Sequence, residues 1–158
     1  MMVAENNDHP GLVTIWLRLM KLRVIVLLQV TAICAILMHD LLARKGAIDS
    51  SSRGWLDTLA TSALVILGGT LSAGGANAIN MWYERDIDKG MKRTAKRPLP
   101  AGHITPLHAL VFGIVIALAG VGILWNLHWK AGFWSAFSVL FYVFIYTIWL
   151  KRRTPQNI

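Results

Sequence analysis

Cysteine is nearly absent from this chain: Cys34 stands alone among 158 residues. A disulfide within the chain is therefore excluded, and Cys34, inside an apolar run, reads as a buried, inert thiol. Acidic residues are also scarce, eight against sixteen Lys and Arg, for a formal net charge of +8. Five of the acids, Glu5, Asp8, Asp40, Asp49 and Asp57, are scattered; only Glu84, Asp86 and Asp88 cluster. Period-two alternation is missing from the apolar runs, which excludes a transmembrane barrel, the one way strands cross lipid. The Gly68–Gly75 stretch lacks the GxxxxGK[ST] pattern of a nucleotide loop. His39, His103, His108 and His128 show no metal-ligand spacing and read as interfacial residues. The first eleven residues carry Glu5 and Asp8 and no apolar core, unlike a secretory signal or an Arg-rich transit peptide. A bacterial inner-membrane protein fits this start better than an imported organellar precursor.

What the chain has in quantity is apolar sequence, 55% of its residues, with a mean hydropathy of +0.51. A bilayer core of about 30 Å needs roughly 20 helical residues at about 1.5 Å each. Four segments are long enough: about 14–38, 56–80, 106–127 and 131–150. The expected fold is all-α, a polytopic bundle of membrane helices. Arg18, Lys21 and Arg23 fall in the first turns of the first segment, where they could snorkel to the interface. Thr105-Pro106 offers an N-cap followed by an N1 proline. Trp16, Trp55, Trp125, Trp129 and Trp149 lie near segment ends, as an aromatic belt requires.

Charge placement sets the orientation. With four spans, twelve Lys and Arg fall on the side holding both termini and the 81–105 loop, and four on the other. The positive-inside rule then makes that first side cytoplasmic. Much of the basic excess is thus a topological signal, and nucleic acid is not an expected partner.

The acidic cluster opens directly off the second apolar segment. Asn80, Glu84 and Asp88 are spaced i, i+4, i+8, within an arc of about 80° on a helix. They would form one stripe of oxygen ligands, with Asp86 on roughly the opposite face. Magnesium uses a few carboxylates and takes substrate phosphate oxygens as further ligands. Lys92 continues the register, and Arg93 and Arg97 lie four apart, placed to meet phosphate. Trp82 and Tyr83 could lay a π-face against an allylic cation, and Asn77 could add a polar contact. Backward from Asn80, the small residues Gly68, Ser72 and Ala76 keep the four-residue interval and allow close approach of a helix or a ligand. The competing reading is a solvated anchor, with carboxylates paired to neighbouring cations and both aromatics in the belt.

The residues Asn80-xxx-Glu84-Arg-Asp86-Ile-Asp88, Met91-Lys92-Arg93-Thr94 and Arg97-Pro98-Leu99-Pro100-Ala101-Gly102 resemble the first aspartate-rich motif of UbiA-type intramembrane prenyltransferases. The tail from Tyr146 to Ile158 is similar to a further block in the branch of that family that farnesylates haem. The resemblance implies nine helices around a cavity open to the membrane. It implies transfer of a farnesyl group from farnesyl diphosphate to a vinyl group of haem B, a substrate and not a bound cofactor, with Mg²⁺ assisting. On that reading Asn80, Glu84 and Asp88 hold the metal-diphosphate, while Lys92, Arg93 and Arg97 contact phosphate. Haem A synthase or cytochrome oxidase assembly proteins become expected partners beside the lipid bilayer.

Two departures from the family pattern follow. Glu84 stands where Asp is usual, and the family's second acidic motif has no counterpart before Ile158. The expectation is therefore a cytoplasmic tail, 1–13, followed by the N-terminal half of a prenyltransferase domain, 14–158, inactive alone. The alternatives are a UbiA-type enzyme with another aromatic acceptor, such as a quinone precursor or a chlorin, and a non-catalytic membrane subunit.

Overall fold

The structure, a computed structural model, describes residues 11–51, 53–91, 94 and 97–150. Among these residues the chain is helical throughout its regular elements, without a strand. The helices are α1 (Leu12–Met20), α2 (Leu22–Arg44), α3 (Trp55–Tyr83), the short α4 (Arg85–Gly90), α5 (Pro106–Leu127) and α6 (Trp129–Leu140). The last continues into a π-helical stretch, Phe141–Leu150. Four helices are long and apolar enough to cross a membrane: Leu22–Arg44, Trp55–Tyr83, Pro106–Leu127 and Trp129–Leu150.

The first of these differs from the expectation. A single helix over 14–38 is replaced by two, because Lys21 adopts φ 54°, ψ 53° and ends α1. A left-handed lysine costs about 1–2 kcal/mol. The break survives because the Met20 carbonyl it frees accepts a hydrogen bond from Asn77 Nδ2 at 3.0 Å. Cys34 also departs from the sequence reading: it lies on the exposed face of α2. Apolarity in a membrane segment does not tell a protein-facing from a lipid-facing position, since lipid is as apolar as leucine.

Helix α3 has 29 residues, about 43 Å of rise against a hydrocarbon core of about 30 Å. Its end must therefore leave the core, and with it the acidic motif. Small residues set the α3–α5 packing distance. A Cβ on Gly68 would lie 2.8 Å from Leu124 Cγ, and one on Gly75 would lie 2.6 Å from the backbone nitrogen of Ala117. The stripe read from the sequence is thus partly a packing seam. Thr105 caps α5 as its sequence suggests, its side chain accepting from the His108 amide at 3.4 Å beside an N1 proline.

At the α3 C-terminal end, a cluster of Leu19, Ala78, Met81, Leu99 and Ala109 gathers α1, α3, the 97–102 turns and α5. Trp16 and Phe112 close it, ring centroids 4.2 Å apart. Leu99, 5% exposed, plugs the loop that carries Arg97 into this cluster. The opposite end of the bundle has a polar clasp, where buried Asp40 accepts from Thr58 Oγ1 at 2.6 Å.

Candidate diphosphate-binding site

The acidic stripe is built by helix geometry that runs almost unbroken from α3 into α4. Glu84, with φ −93° and ψ 1°, marks the junction. The i to i−4 bonds nevertheless continue, with the Glu84 amide to Asn80 O at 3.1 Å and the Asp88 amide to Glu84 O at 2.8 Å. Asn80, Glu84 and Asp88 consequently share a face. All three are buried, at 0%, 5% and 3% exposure, which ordinary solvated anchors would not be. Asp86 is exposed, off this face.

Buried charge must be paired, and Arg97 is a partner of both carboxylates. Its Nη1 lies 2.6 Å from Asp88 Oδ2 and 4.0 Å from Glu84 Oε2. The loop is tied to the helix a second time, Thr94 Oγ1 donating to the Asp88 carbonyl at 3.0 Å. Lys92 and Arg93, the other cations read as phosphate contacts, lie outside the described residues.

Asn80 is the hub at the membrane end. Its Nδ2 donates to Glu84 Oε1 and to Thr147 Oγ1, both at 3.1 Å. Its Oδ1 accepts from Lys21 Nζ at 3.3 Å. One turn deeper, Asn77 accepts from the Tyr142 hydroxyl at 3.3 Å while donating to Met20 O.

Asn77 also lines an apolar cavity of about 290 Å³ between α2, α3 and the last helix, together with Val24, Leu28, Ala76, Val139 and Tyr142. An apolar chamber thus begins one helical turn below the polar stripe, an order that suits an amphiphile with an anionic head.

The aromatics distribute differently from the sequence reading. Trp82 packs against the Leu19–Met81 cluster, and Arg85 lies 5.0 Å over its ring. Tyr83 is half-buried beside it. The ring that borders the cavity is Tyr142, stacked at 5.2 Å on Tyr146. Lys21, Tyr142 and Thr147 are site neighbours that no motif announces.

Among the described residues, no group of three or more His, Cys, Asp or Glu side chains is placed to hold a metal ion alone. Two carboxylates and a carboxamide are hard oxygen donors. They fit a cation that keeps waters and completes its shell with phosphate oxygens, as magnesium does.

Residues 43–158 match the UbiA prenyltransferase family. A protoheme IX farnesyltransferase of Bartonella tribocorum is 40% identical over 99% of this chain and 47% of its own length. Its namesake in Erythrobacter litoralis is 45% identical over 89% of this chain and 41% of its own length. That of Clavibacter michiganensis subsp. michiganensis is 55% identical over 60% of this chain and 31% of its own length. The chain thus spans about half the length of curated relatives it matches, or less. No solved structure matches it.

Proposed function

Since this chain belongs to the UbiA prenyltransferase family, we propose that it carries one half of the diphosphate site of a haem-farnesylating enzyme. The observation that carries this reading is the buried stripe of Asn80, Glu84 and Asp88, countered by Arg97 and starting one helical turn from Asn77, which lines an apolar cavity. The relatives' name, protoheme IX farnesyltransferase, supports a farnesyl group as the group transferred and haem B as its acceptor, and the diphosphate is the leaving group that the oxygen stripe suits.

In this reading Asn80, Glu84 and Asp88 hold Mg²⁺, which when bound supplies positive charge to the diphosphate oxygens. Arg97 turns from Asp88 toward phosphate, where its planar fork suits bidentate contact. The cavity bordered by Ala76 and Tyr142 takes apolar chain and keeps water from C1 of the donor. The C1–O bond breaks and its electron pair leaves with the diphosphate. A haem vinyl carbon forms the new C–C bond, and water adds at the adjoining carbon with loss of a proton, leaving a hydroxyethylfarnesyl group. Tyr142 offers its ring face to the allylic cation. The stripe faces the cytoplasm of a bacterial inner membrane, and the product passes to a haem A synthase or an oxidase assembly protein.

The test is a hybrid in which this chain is joined to the remaining part of the Bartonella tribocorum relative. Membranes containing it should convert haem B and farnesyl diphosphate to a product detected by mass. Glu84→Gln with Asp88→Asn should lower turnover by about a hundredfold or more. A hybrid that keeps full turnover with both substitutions would sink the site assignment.

A further inference from the structure

Lys21 is the one basic residue of the α1–α2 region whose placement contradicts its expected role. Arg18 and Arg23 are exposed, as snorkelling cations should be, whereas Lys21 is half-buried and turned inward. Its Nζ lies 3.3 Å from Asn80 Oδ1, across 59 residues of sequence.

Three features place it there. The left-handed conformation at Lys21 ends α1 and redirects the chain into α2. Asn77 secures the break by binding the Met20 carbonyl, and that same Asn77 lines the apolar cavity. Val24, one turn further along α2, lines the cavity as well. The ammonium therefore sits at the membrane end of the stripe, one helical turn from the cavity-lining Asn77 and Val24, while Arg97 stands at the outer end. Asn80 and Asp88 are about 12 Å apart along an ideal helix, so the two cations bracket the oxygen ligands.

Resting on the diphosphate reading above, we propose that Lys21 is a diphosphate-binding residue. It takes the phosphoryl group that carries the apolar chain, while Arg97 serves the terminal one. The chain of such a ligand enters the cavity lined by Asn77, so the phosphoryl group attached to it lies at the membrane end of the stripe, where Lys21 meets Asn80. A compact ammonium with three donors can keep its contact to Asn80 Oδ1 and bind phosphate oxygens simultaneously. Held on a helix break rather than on a mobile loop, it is in position before the ligand arrives.

The test uses the hybrid with the remaining part of the Bartonella tribocorum relative, purified in detergent, titrated with inorganic diphosphate and Mg²⁺ and followed by calorimetry. Lys21→Gly removes the ammonium yet suits φ 54° better than lysine does, so the helix break survives. Lys21→Asn, also at ease in the left-handed region, gives an independent second measurement. Both should retain wild-type helicity by circular dichroism and bind diphosphate about tenfold to a hundredfold more weakly. Arg23→Gln removes a nearby exposed charge and should stay within about threefold of wild type. If the Lys21 variants bind like wild type, or Arg23→Gln weakens binding as much as they do, the role of Lys21 is overturned while the diphosphate reading stands. If the unsubstituted hybrid itself does not bind, the diphosphate reading falls and this inference falls with it.

Discussion

Asn80 and Thr147 lie 67 residues apart and meet through one hydrogen bond, Asn80 Nδ2 donating to Thr147 Oγ1 at 3.1 Å. Thr147 in turn donates to the carbonyl of Tyr142, five residues back, at 2.9 Å. Through these two bonds the last helix holds both the ligand stripe and the ring at the cavity edge. A π-helical turn brings residues five apart into line, and such turns recur at functional sites.

Thr147→Val removes both bonds at nearly constant volume and leaves the Asn80 amide one acceptor short. A hydrogen bond between membrane helices contributes about 1 kcal/mol, so unfolding in mixed micelles should shift by about that amount. Diphosphate affinity should fall as well, because Asn80 loses one of its restraints. A variant with unchanged affinity and unchanged unfolding would show that Thr147 merely fills space.

Arg97→Ala leaves Glu84 and Asp88 buried without the guanidinium that the structure places on them. Removing one partner of a buried pair costs about 3 kcal/mol or more. The site reading adds an outcome that a purely structural pair would not give. Millimolar Mg²⁺ should raise the thermal midpoint of Arg97→Ala more than that of the wild type, since the cation replaces the lost charge. Equal responses of the two proteins to Mg²⁺ would count against a metal at these carboxylates.

Two glycines of α5 should respond in opposite ways. A side chain at Gly120 would run into the α3 backbone at Gly68 and Ser72, whereas Gly122 faces open space. Gly120→Leu should push α5 from α3 and cost about 3 kcal/mol. Gly122→Ala should leave stability unchanged or raise it by up to about 1 kcal/mol, through helix propensity alone. Parallel thermal melts decide, and equal effects would refute the packing seam.

The sequence disclosed those parts of the site that depend on helical period alone. Asn80, Glu84 and Asp88 share a face in the structure because i, i+4, i+8 survives the small irregularity at Glu84. Thr105 and Pro106 start α5 because capping is local chemistry. Lys21 was illegible because neither glycine nor proline marks the break. Its cause is Asn77, 56 residues away, together with the packing of α1 on the Leu19 cluster. Thr147 and Tyr142 were illegible for a related reason, since a π-helical register shifts which residues align and leaves no composition signal. Cys34 was misread because burial in lipid and burial in protein select the same apolar neighbours.

Orientation is the premise on which substrate access depends, and it is open to direct measurement. From the twelve-to-four distribution of Lys and Arg we propose that the Asn80–Asp88 stripe lies on the cytoplasmic side. Cys34 is the only native cysteine, so Cys34→Ser gives a clean background. Lys89 and Asp49 are both exposed, and they lie just beyond opposite ends of α3. In intact cells a membrane-impermeant maleimide should label Asp49→Cys and spare Lys89→Cys. Disrupting the membrane should expose Lys89→Cys without changing the other. The reverse pattern would place the stripe outside the cell, where neither farnesyl diphosphate nor newly made haem is supplied, and the proposed function could not stand.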